Sequence, residues 1–565
     1  MNATQWILFI LLIQVIHFLG TWKLYVKAGK KAWEAAIPVY NAIVLMQIIN
    51  RPKWWTILLF IPVINLLMFP VIWVETIRSF GKNSTLDTWL VILTLGFYIY
   101  YVNYMLDVKY IEDRSLQPKT GLGEWVSSIV FAIVAATLVH TYFIQPYVIP
   151  TGSLEKTLLI GDFLFVSKFH YGARTPMTTI AAPMVHDTLP LLKTKSYLSK
   201  PQLPYFRLPG FQKIKRNDIV VFSWPADTVR KFFVKEKGVK KPIDKKSNYV
   251  KRCVGIPGDS LSIKDGYVYI NGKQTVLPDR AKPQYTHTIY SNKGVSSKLL
   301  SKVGITDFNR KYIAKTLNQE QANALSKYAY QIANSGNSFV ITTPNKGIPL
   351  KIIQKNRLAL QEVIDKQRTA TLTDKVAATL EKNTAIDSIV KTLEAKGVAD
   401  NNIFPQARQH SWNIDNFGSI YIPEAGKKVN LNLQVLPLYK KIIKEYEGNT
   451  LSVNGNQISI NGKVVNSYTF KQDYYWMMGD NRHRSEDSRF WGYVPEDHIV
   501  GKPVFVWMSI DGINDGITNW RLRWDRIFTT VHGDGETTSY FKYFLLLLGA
   551  WFAFDFFRKK KMKKE

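Results

Sequence analysis

The sequence contains one cysteine, Cys253, among 565 residues. A single cysteine can form no disulfide within the chain, and it cannot supply the several thiolates of a cysteine-based zinc site. Cys253 lies in an apolar, strand-like run, where we expect it to be a small buried residue. Disulfide and cysteine–zinc chemistry are therefore excluded as sources of stability within the chain.

Acidic residues are also scarce: 43 Asp and Glu face 74 Lys and Arg, which gives a net charge of +31. Nucleic-acid-binding proteins can be this basic, but no nucleic-acid-binding motif accompanies the charge. Part of the charge instead flanks apolar runs, where membrane proteins keep basic loops. We therefore expect a lysine-rich solvated surface beside a membrane and no nucleic-acid partner.

Apolar runs are what the chain has in quantity. A membrane span needs ~20 residues, with about 17 as a floor, so five runs predict about five transmembrane helices once the shorter ones take in flanking residues. A further run, 35–49, is short and contains Pro38, so we expect it to lie in the interface or re-enter rather than cross. The five runs are 6–19, 54–74, 89–105, 125–144 and 543–557.

The charge of the loops predicts the orientation. The loop after the first run is rich in Lys and Arg with Glu34 as its one acidic residue, and the C-terminal tail 558–565 is strongly basic. The N-terminal tail has no basic residue. Because basic loops stay in the cytoplasm, the N-terminus is expected outside, the tail inside, and residues from about 146 to 540 on the outer face.

The outer part reads as mostly β. Residues 219–224 and 249–256 are strand-like, and GDSLSIKDGYVYINGK (258–273) recurs as GNTLSVNGNQISINGK (448–463), which predicts two similar hairpins. Between the copies lies a lysine-rich insertion with helical pieces, among them a helix over 384–397 that opens on a capping-box pattern. The predicted domains are a membrane domain (1–123), a transmembrane helix (124–145), a catalytic β domain (146–273 and 448–537), an accessory α/β insertion (274–447), and a C-terminal transmembrane helix with a basic tail (538–565).

One serine, Ser153, comes just after the fourth apolar run, and a serine hydroxyl needs a base to become a nucleophile. The nine histidines are scattered, and only His483 lies in a motif-like stretch, so a Ser-His-Asp triad is the less favoured alternative. Lysine can act as the base if burial keeps it neutral. Lys251 and Arg252 point to opposite faces of a strand, so we expect only one to be buried, and arginine stays protonated.

Three separate stretches, 149–162, 248–259 and 477–489, resemble in order the motifs of bacterial type I signal peptidases. The first matches P-S-x-S-M-x-P-T-L, with Thr151, Leu154 and Lys156 as departures from it. The resemblance implies that Ser153 is the nucleophile. It also implies that the Thr151 hydroxyl joins the Ser153 N–H in the oxyanion hole, since threonine keeps the hydroxyl group.

The other two stretches carry the remaining expected site residues. Tyr249 to Asp259 match the lysine strand of the family, which implies Lys251 as the general base. In the third, Ser485 would orient the lysine amine, and Asp487 and Arg489 would form a supporting salt bridge. The resemblance further implies structural support from Arg252, Gly479 and Asp480, and a substrate cleft at Ile149, Pro150, Tyr249 and Val250.

The resemblance thus implies a membrane-anchored, mainly-β serine endopeptidase that cleaves signal peptides from exported preproteins at the outer face of the cytoplasmic membrane. Its partners would be preproteins and membrane lipid, and it would need no metal or organic cofactor. A serine/lysine membrane protease with a narrower substrate set is one alternative. The other is a membrane transporter or anchor without enzymatic activity, which the lack of charge pairs in the centres of the spans disfavours.

Overall fold

The computed structural model describes residues 3–117, 121–228, 238–306 and 308–562, so the last three residues of the basic tail lie outside it. Helices alone, with turns between them, form the described chain before the first strand. They are α1 (Ala3–Lys27), a 3-10 turn (Ala32–Ala35), α2 (Tyr40–Ile48), α3 (Trp55–Leu58), α4 (Ile64–Ser79), α5 (Thr85–Leu93), α6 (Tyr98–Tyr104) and α7 (Gly121–Tyr142).

Two helices of the described chain, Thr4–Lys27 and Gly121–Tyr142, are long and apolar enough to cross a membrane. The first has taken in flanking residues, as its short apolar run required. The second apolar run does not form one helix: α3 ends at Leu58 and α4 begins at Ile64, because Pro62 interrupts the run and proline has no N–H for a helix interior. At 16 residues α4 is shorter than a typical span.

The third apolar run is bent. Its helices α5 and α6 meet at 117°, and they make a third span only if the pair is counted as one. The bend contains Gly96 at φ +88°, where an added Cβ would lie 2.8 Å from Cε2 of Trp73. The run 35–49 contains α2, whose nine residues are too few to cross, and its Val44 and Leu45 join the buried cluster of this helical region.

The strands and later helices follow α7. In chain order the strands are β1 (Ile144–Val148), β2 (Asp162–Ser167), β3 (Ile219–Ser223), β4 (Asn248–Gly255), β5 (Ser260–Lys264), β6 (Tyr267–Ile270), β7 (Lys273–Gln274), β8 (Tyr285–Tyr290), β9 (Asn309–Ala314), β10 (Gln331–Ser335), β11 (Ser338–Pro344), β12 (Gln361–Glu362), β13 (Gln367–Leu372), β14 (Ser388–Lys391), β15 (Phe417–Tyr421), β16 (Lys428–Asn430), β17 (Leu451–Asn454), β18 (Gln457–Ile460), β19 (Lys463–Val464), β20 (Ser467–Thr469), β21 (Tyr474–Met478), β22 (Val494–Pro495), β23 (Ile499–Asp511), β24 (Arg521–Leu522) and β25 (Thr529–Thr530). The helices are α8 (Ser297–Lys302), α9 (Gln319–Leu325), α10 (Leu350–Lys355), α11 (Asp374–Glu381), α12 (Leu436–Lys441), α13 (Ser488–Trp491) and α14 (Phe541–Met562).

A nine-stranded sheet forms the centre of the β region, in the order β1-β2-β23-β3-β4-β21-β22, with β24 and β25 added to β23. The sequence predictions for 219–224 and 249–256 are confirmed as β3 and β4, which pair antiparallel with Val220 opposite Lys251. Cys253 is fully buried in β4, as expected. On the described chain β1 forms one end of the sheet, and the first half of β4 pairs only with β3.

Both predicted hairpins are confirmed. The first is β5–β6 with Asp265 and Gly266 at its turn, and the second is β17–β18. They belong to separate sheets: β15 pairs with the first hairpin, and β19 pairs with the second. A single hydrophobic cluster contains side chains from 417–443 together with Val254 and Trp476, so the predicted boundary at 448 falls inside one packed core.

The insertion contains a four-stranded sheet (β10-β11-β9-β12), a three-stranded sheet (β13-β8-β14) and α8 to α11. The helix predicted over 384–397 is wrong: Ser388–Lys391 form β14, with Ile389 opposite Ile289 of β8. The β-branched residues of this run have high strand propensity, and the edge of β8 satisfies their backbone groups. Asp387, the supposed capping residue, instead accepts a hydrogen bond from the Asn292 N–H.

Candidate active site

Ser153 lies in a 3-10 turn, Gly152–Leu154, five residues after β1 ends. The turn is fixed from both sides. In the segment that leads into the turn, the Ile149 N–H donates to the Asp162 carbonyl. Within the turn, the Ser153 carbonyl accepts a hydrogen bond from the Asn481 N–H at 3.0 Å. Ser153 is thereby buried, although it lies in a loop. The third sequence motif therefore positions the first through a backbone hydrogen bond.

Lys251 of β4 reaches this serine. Its Nζ lies 2.7 Å from Ser153 Oγ, across 98 residues of sequence, and its side chain is only 4% exposed. The ammonium also lies 5.2 Å from the centre of the Tyr249 ring. Burial disfavours the charged form and lowers the pKa of Lys251 to about 8, against the opposing effect of the Asp487 and Glu486 carboxylates. A lysine with this pKa is partly neutral near pH 7–8 and can accept a proton.

The expectation that only one of Lys251 and Arg252 is buried is wrong. Arg252 is 3% exposed, because the turn after β21 covers the second face of β4. There its guanidinium donates to both carboxylate oxygens of Asp480, at 2.7 and 2.6 Å. Burial opposes ionisation of Asp480, yet Arg252 holds the pKa of that carboxyl below its usual range. A bidentate ion pair makes burial of the second cation possible.

Asp487 and Arg489 form the predicted salt bridge, with Arg489 Nη2 2.8 Å from Asp487 Oδ2, and both are buried. Asp487 also accepts a hydrogen bond from the Gly479 N–H at 3.0 Å. Gly479 itself has no room for a side chain: an added Cβ would lie 2.2 Å from Ser485 Oγ and 2.6 Å from the Ser153 carbonyl oxygen. A glycine is needed here because two parts of the third motif and the serine turn approach one another this closely.

Ser485 does not make the predicted hydrogen bond to the Lys251 amine. Among the described residues its buried hydroxyl has no partner, and the Lys251 amine bonds to Ser153 instead. A buried unpaired hydroxyl is costly, so this one is available to a group that enters the site or to a reoriented lysine amine.

His483 serves a structural purpose, which removes the geometric basis of the triad alternative. Its Nε2 lies 2.8 Å from Asp415 Oδ1, and its Nδ1 accepts a hydrogen bond from the Thr286 N–H at 2.9 Å. Both ring nitrogens are therefore occupied, and neither partner is Ser153. The histidine links the third motif to β8 of the insertion.

The remaining expected residues lie around the serine turn and β4. Thr151 is exposed just before Ser153, so its hydroxyl can face an incoming group. Pro150 is exposed, whereas Ile149 is buried in a core cluster against which Val250 packs. Tyr249 stacks on Trp224 with 4.9 Å between the ring centres.

Sequence reasoning missed several residues that fix the serine turn. Thr157 donates to Asp480 Oδ2 at 2.6 Å, and Gln284 Nε2 donates to the Glu155 carbonyl at 2.7 Å. Lys156, one of the departures from the family motif, donates to the Gly304 carbonyl at 2.6 Å and lies 3.2 Å from Thr306 Oγ1. The insertion thus holds the turn directly, and only the departure at Lys156 could have signalled this.

Comparison with known families agrees with the geometry. The family model "Signal peptidase, peptidase S26" matches residues 122–342 and 419–508, which is more than half of the chain. The chain belongs to this signal peptidase family. The match includes Ser153, Lys251 and the 477–489 motif, and the family makes the chain a hydrolase of the signal peptidase class. A family of unknown function (DUF5684) matches residues 33–113, within the helical region.

Curated relatives carry the same family name. The signal peptidase I of Buchnera aphidicola subsp. Acyrthosiphon pisum is 23% identical over 421 residues, which cover 73% of this chain and 85% of that protein. The signal peptidase I of Rickettsia massiliae is 31% identical over 162 residues, 28% of this chain and 47% of that protein. The chain therefore spans about half the length of the Rickettsia relative, and most of the length of the Buchnera one.

The ion pair beneath β4 generates a prediction. Asp480→Asn leaves the Arg252 guanidinium buried without a counter-charge, and breaking such a pair costs ~3–5 kcal/mol of unfolding free energy. Asp511→Asn is the matched control, because its pair with Arg523 is partly exposed to solvent and solvent-exposed pairs contribute only ~0–1 kcal/mol. Thermal unfolding of the two purified variants measures the difference, and equal melting temperatures would contradict the structural role of Asp480.

Proposed function

We propose that the protein is a membrane-bound serine endopeptidase that removes signal peptides from exported preproteins by a Ser153/Lys251 dyad. The observation that carries the proposal is the 2.7 Å contact between Lys251 Nζ and Ser153 Oγ. Burial supplies what the chemistry requires, because it lowers the pKa of the amine toward the working range of a general base. The membership of the chain in the signal peptidase family supports the same reaction.

The reaction follows from the positions of these groups. Ser153 Oγ attacks the scissile carbonyl carbon while its proton passes to the neutral Lys251 amine. The Lys251 ammonium then returns that proton to the leaving amine, and the peptide C–N bond breaks to give an acyl-enzyme. A water molecule, deprotonated by the same amine, attacks the ester and releases the carboxylate and Ser153.

The tetrahedral intermediate carries its negative charge on the former carbonyl oxygen. We assign its stabilisation to the Ser153 N–H and the Thr151 hydroxyl, which is exposed next to the nucleophile. Removal of one such donor costs ~10²–10³ in turnover. Ser485 is assigned to orient the Lys251 amine once the proton has moved, since its buried hydroxyl has no partner among the described residues.

Two strand edges support an extended substrate. The edge of β1 away from β2 and the first half of β4 away from β3 have no strand partner within the described residues. The Ser153–Lys251 dyad lies at one end of the space between these two edges. At the other end, Asn248 Nδ2 donates to Tyr147 Oη at 3.3 Å. A peptide can add to such edges through main-chain hydrogen bonds, with Ile149, Pro150, Tyr249 and Val250 around it.

The membrane helices support a site at the bilayer surface, because β1 begins two residues after α7 ends. We infer that the N-terminus and the β domain face outward and the basic tail faces the cytoplasm. That orientation needs an even number of crossings before Ser153. The two helices α1 and α7 satisfy it when the bent α5–α6 pair re-enters.

The dyad predicts the effect of two substitutions. Ser153→Ala and Lys251→Ala should each reduce preprotein cleavage by the purified enzyme at least ~10³-fold, since each removes a participant in bond breaking. Lys273→Ala, a change at an exposed lysine, should leave the rate within about twofold of the unmodified enzyme. Near-normal cleavage by either dyad variant would contradict the assignment.

The lowered lysine pKa predicts the pH profile. Because the reactive form is the neutral amine, kcat/KM should rise about tenfold per pH unit at acid pH and level off above about 8. Initial rates across pH 5.5–9.5 provide the measurement. A profile that levels off near the ordinary histidine pKa of ~6.5 would instead indicate a histidine base.

The proposed orientation predicts protease access. A protease added to intact spheroplasts should digest the β domain, whereas sealed inverted membrane vesicles should protect it. The basic tail should show the reverse pattern, which serves as the internal control. Protection of the β domain in spheroplasts together with its digestion in inverted vesicles would overturn the outward orientation.

A further inference from the structure

A cavity of about 230 Å³ lies beyond the end of the proposed cleft that is marked by Tyr147 and Asn248. Thr137 and His140, in the last turns of α7, form one wall. Val63, between α3 and α4, also lines the cavity. Residues of β1 and of the 174–186 loop form the others. The cavity therefore opens where a membrane-spanning helix meets the outer domain.

Three cations line this cavity: Lys168, Arg174 and Lys245. Their one acidic neighbour among the lining residues is Asp244. That carboxylate is already engaged, because it accepts hydrogen bonds from the Thr178 N–H at 2.8 Å and the Thr178 hydroxyl at 2.7 Å, as well as from the Met177 N–H. The lining thus has an excess of positive charge.

Lys168 is the most informative of the three. Its amine has no hydrogen bond and no ion pair with any described residue, and burial together with the Arg174 charge lowers its pKa to about 7. An unpaired ammonium in a partly buried position is unfavourable, and a bound anion removes that penalty.

The other two cations also keep charge available. Arg174 donates to the Asp497 carbonyl at 2.8 Å and to Ser223 Oγ at 3.2 Å, both of which are neutral acceptors. Lys245 donates to the Val185 carbonyl at 3.5 Å, its one hydrogen bond among the described residues, and lies over the Tyr197 ring. A phosphate has the charge and the several acceptor oxygens that such a set of cations can satisfy.

The surroundings of the cavity point to lipid as the source of the phosphate. The chain continues from the 174–186 loop into an excursion that makes a tight turn outside the cavity. In this turn Leu191 and Leu192 are 95% and 72% exposed. Exposed leucines on an excursion whose base meets the end of a spanning helix fit the acyl boundary of a bilayer. Lipid phosphates lie at that depth, just outside the hydrocarbon.

We propose that this cavity binds the phosphate of an anionic phospholipid headgroup. Lys168, Arg174 and Lys245 hold the phosphate oxygens, and the Leu191–Leu192 turn and α7 accompany the acyl chains. The site is separate from the dyad, so it stands whether or not Ser153 and Lys251 carry the catalytic assignment.

The test uses the full-length protein in a mild non-ionic detergent, with phosphatidylglycerol or phosphatidylcholine added at equal amounts. Phosphatidylglycerol should raise the melting temperature because it binds the folded state, and phosphatidylcholine, a lipid with no net charge, should raise it much less. In Lys168→Met the phosphatidylglycerol shift should be lost, with an affinity at least about tenfold weaker. Lys193→Gln, which removes an exposed charge from the same excursion but outside the cavity, should keep the shift.

Lys245→Gln gives an independent variant should Lys168→Met fail to fold, and it too should weaken the shift. Loss of the shift in Lys193→Gln to the same extent as in Lys168→Met would overturn the proposal, because diffuse surface charge would then explain the binding. An equal shift with millimolar inorganic phosphate would assign the cavity to free phosphate and overturn the lipid assignment. Displacement of phosphatidylglycerol by a signal-peptide analogue would overturn it as well, since the cavity would then extend the substrate cleft.

Discussion

The proposed site depends on one constraint: the amine of its lysine must stay uncharged in a region that needs several charged residues for its own stability. Lys251 is buried against Ser153, and burial disfavours its ammonium. A free carboxylate in contact with the amine would restore the charge. Two of the carboxylates near the amine are paired with arginines, Asp480 with Arg252 and Asp487 with Arg489. The two arginines thus favour the neutral amine that the proposed role of Lys251 as a base requires.

The local features of the β domain could be predicted because they depend on neighbouring residues. Strands β3 and β4 and both hairpins follow from alternation and turn residues, and the buried Asp487–Arg489 pair follows from a family motif. The burial of Arg252 could not be predicted, because it depends on a turn more than two hundred residues away that brings Asp480 beneath β4. The same holds for β14, whose strand conformation depends on the edge of β8 rather than on its own spacing.

The helical region shows a different limit of sequence reasoning. The length of an apolar run predicts a span only when the run stays helical, and Pro62 and Gly96 break two of the runs. The fragments then pack with one another, so that Val44 and Ile77 are buried against α1 residues in one cluster. Apolar residues here serve a compact helical core as well as the lipid contact, and hydropathy alone does not separate these two uses.

The bond from Lys156 to the insertion has a consequence for the architecture of the enzyme. Because the residue three positions after the nucleophile is held by Gly304 and Thr306, the shape of the serine turn depends on whether the inserted chain has folded. Gln284 adds a second connection between the same two parts, and His483 connects the third motif to the insertion. The conformation of the turn that carries the proposed nucleophile is thereby coupled to the fold of the inserted chain, although the two parts lie far apart in the sequence.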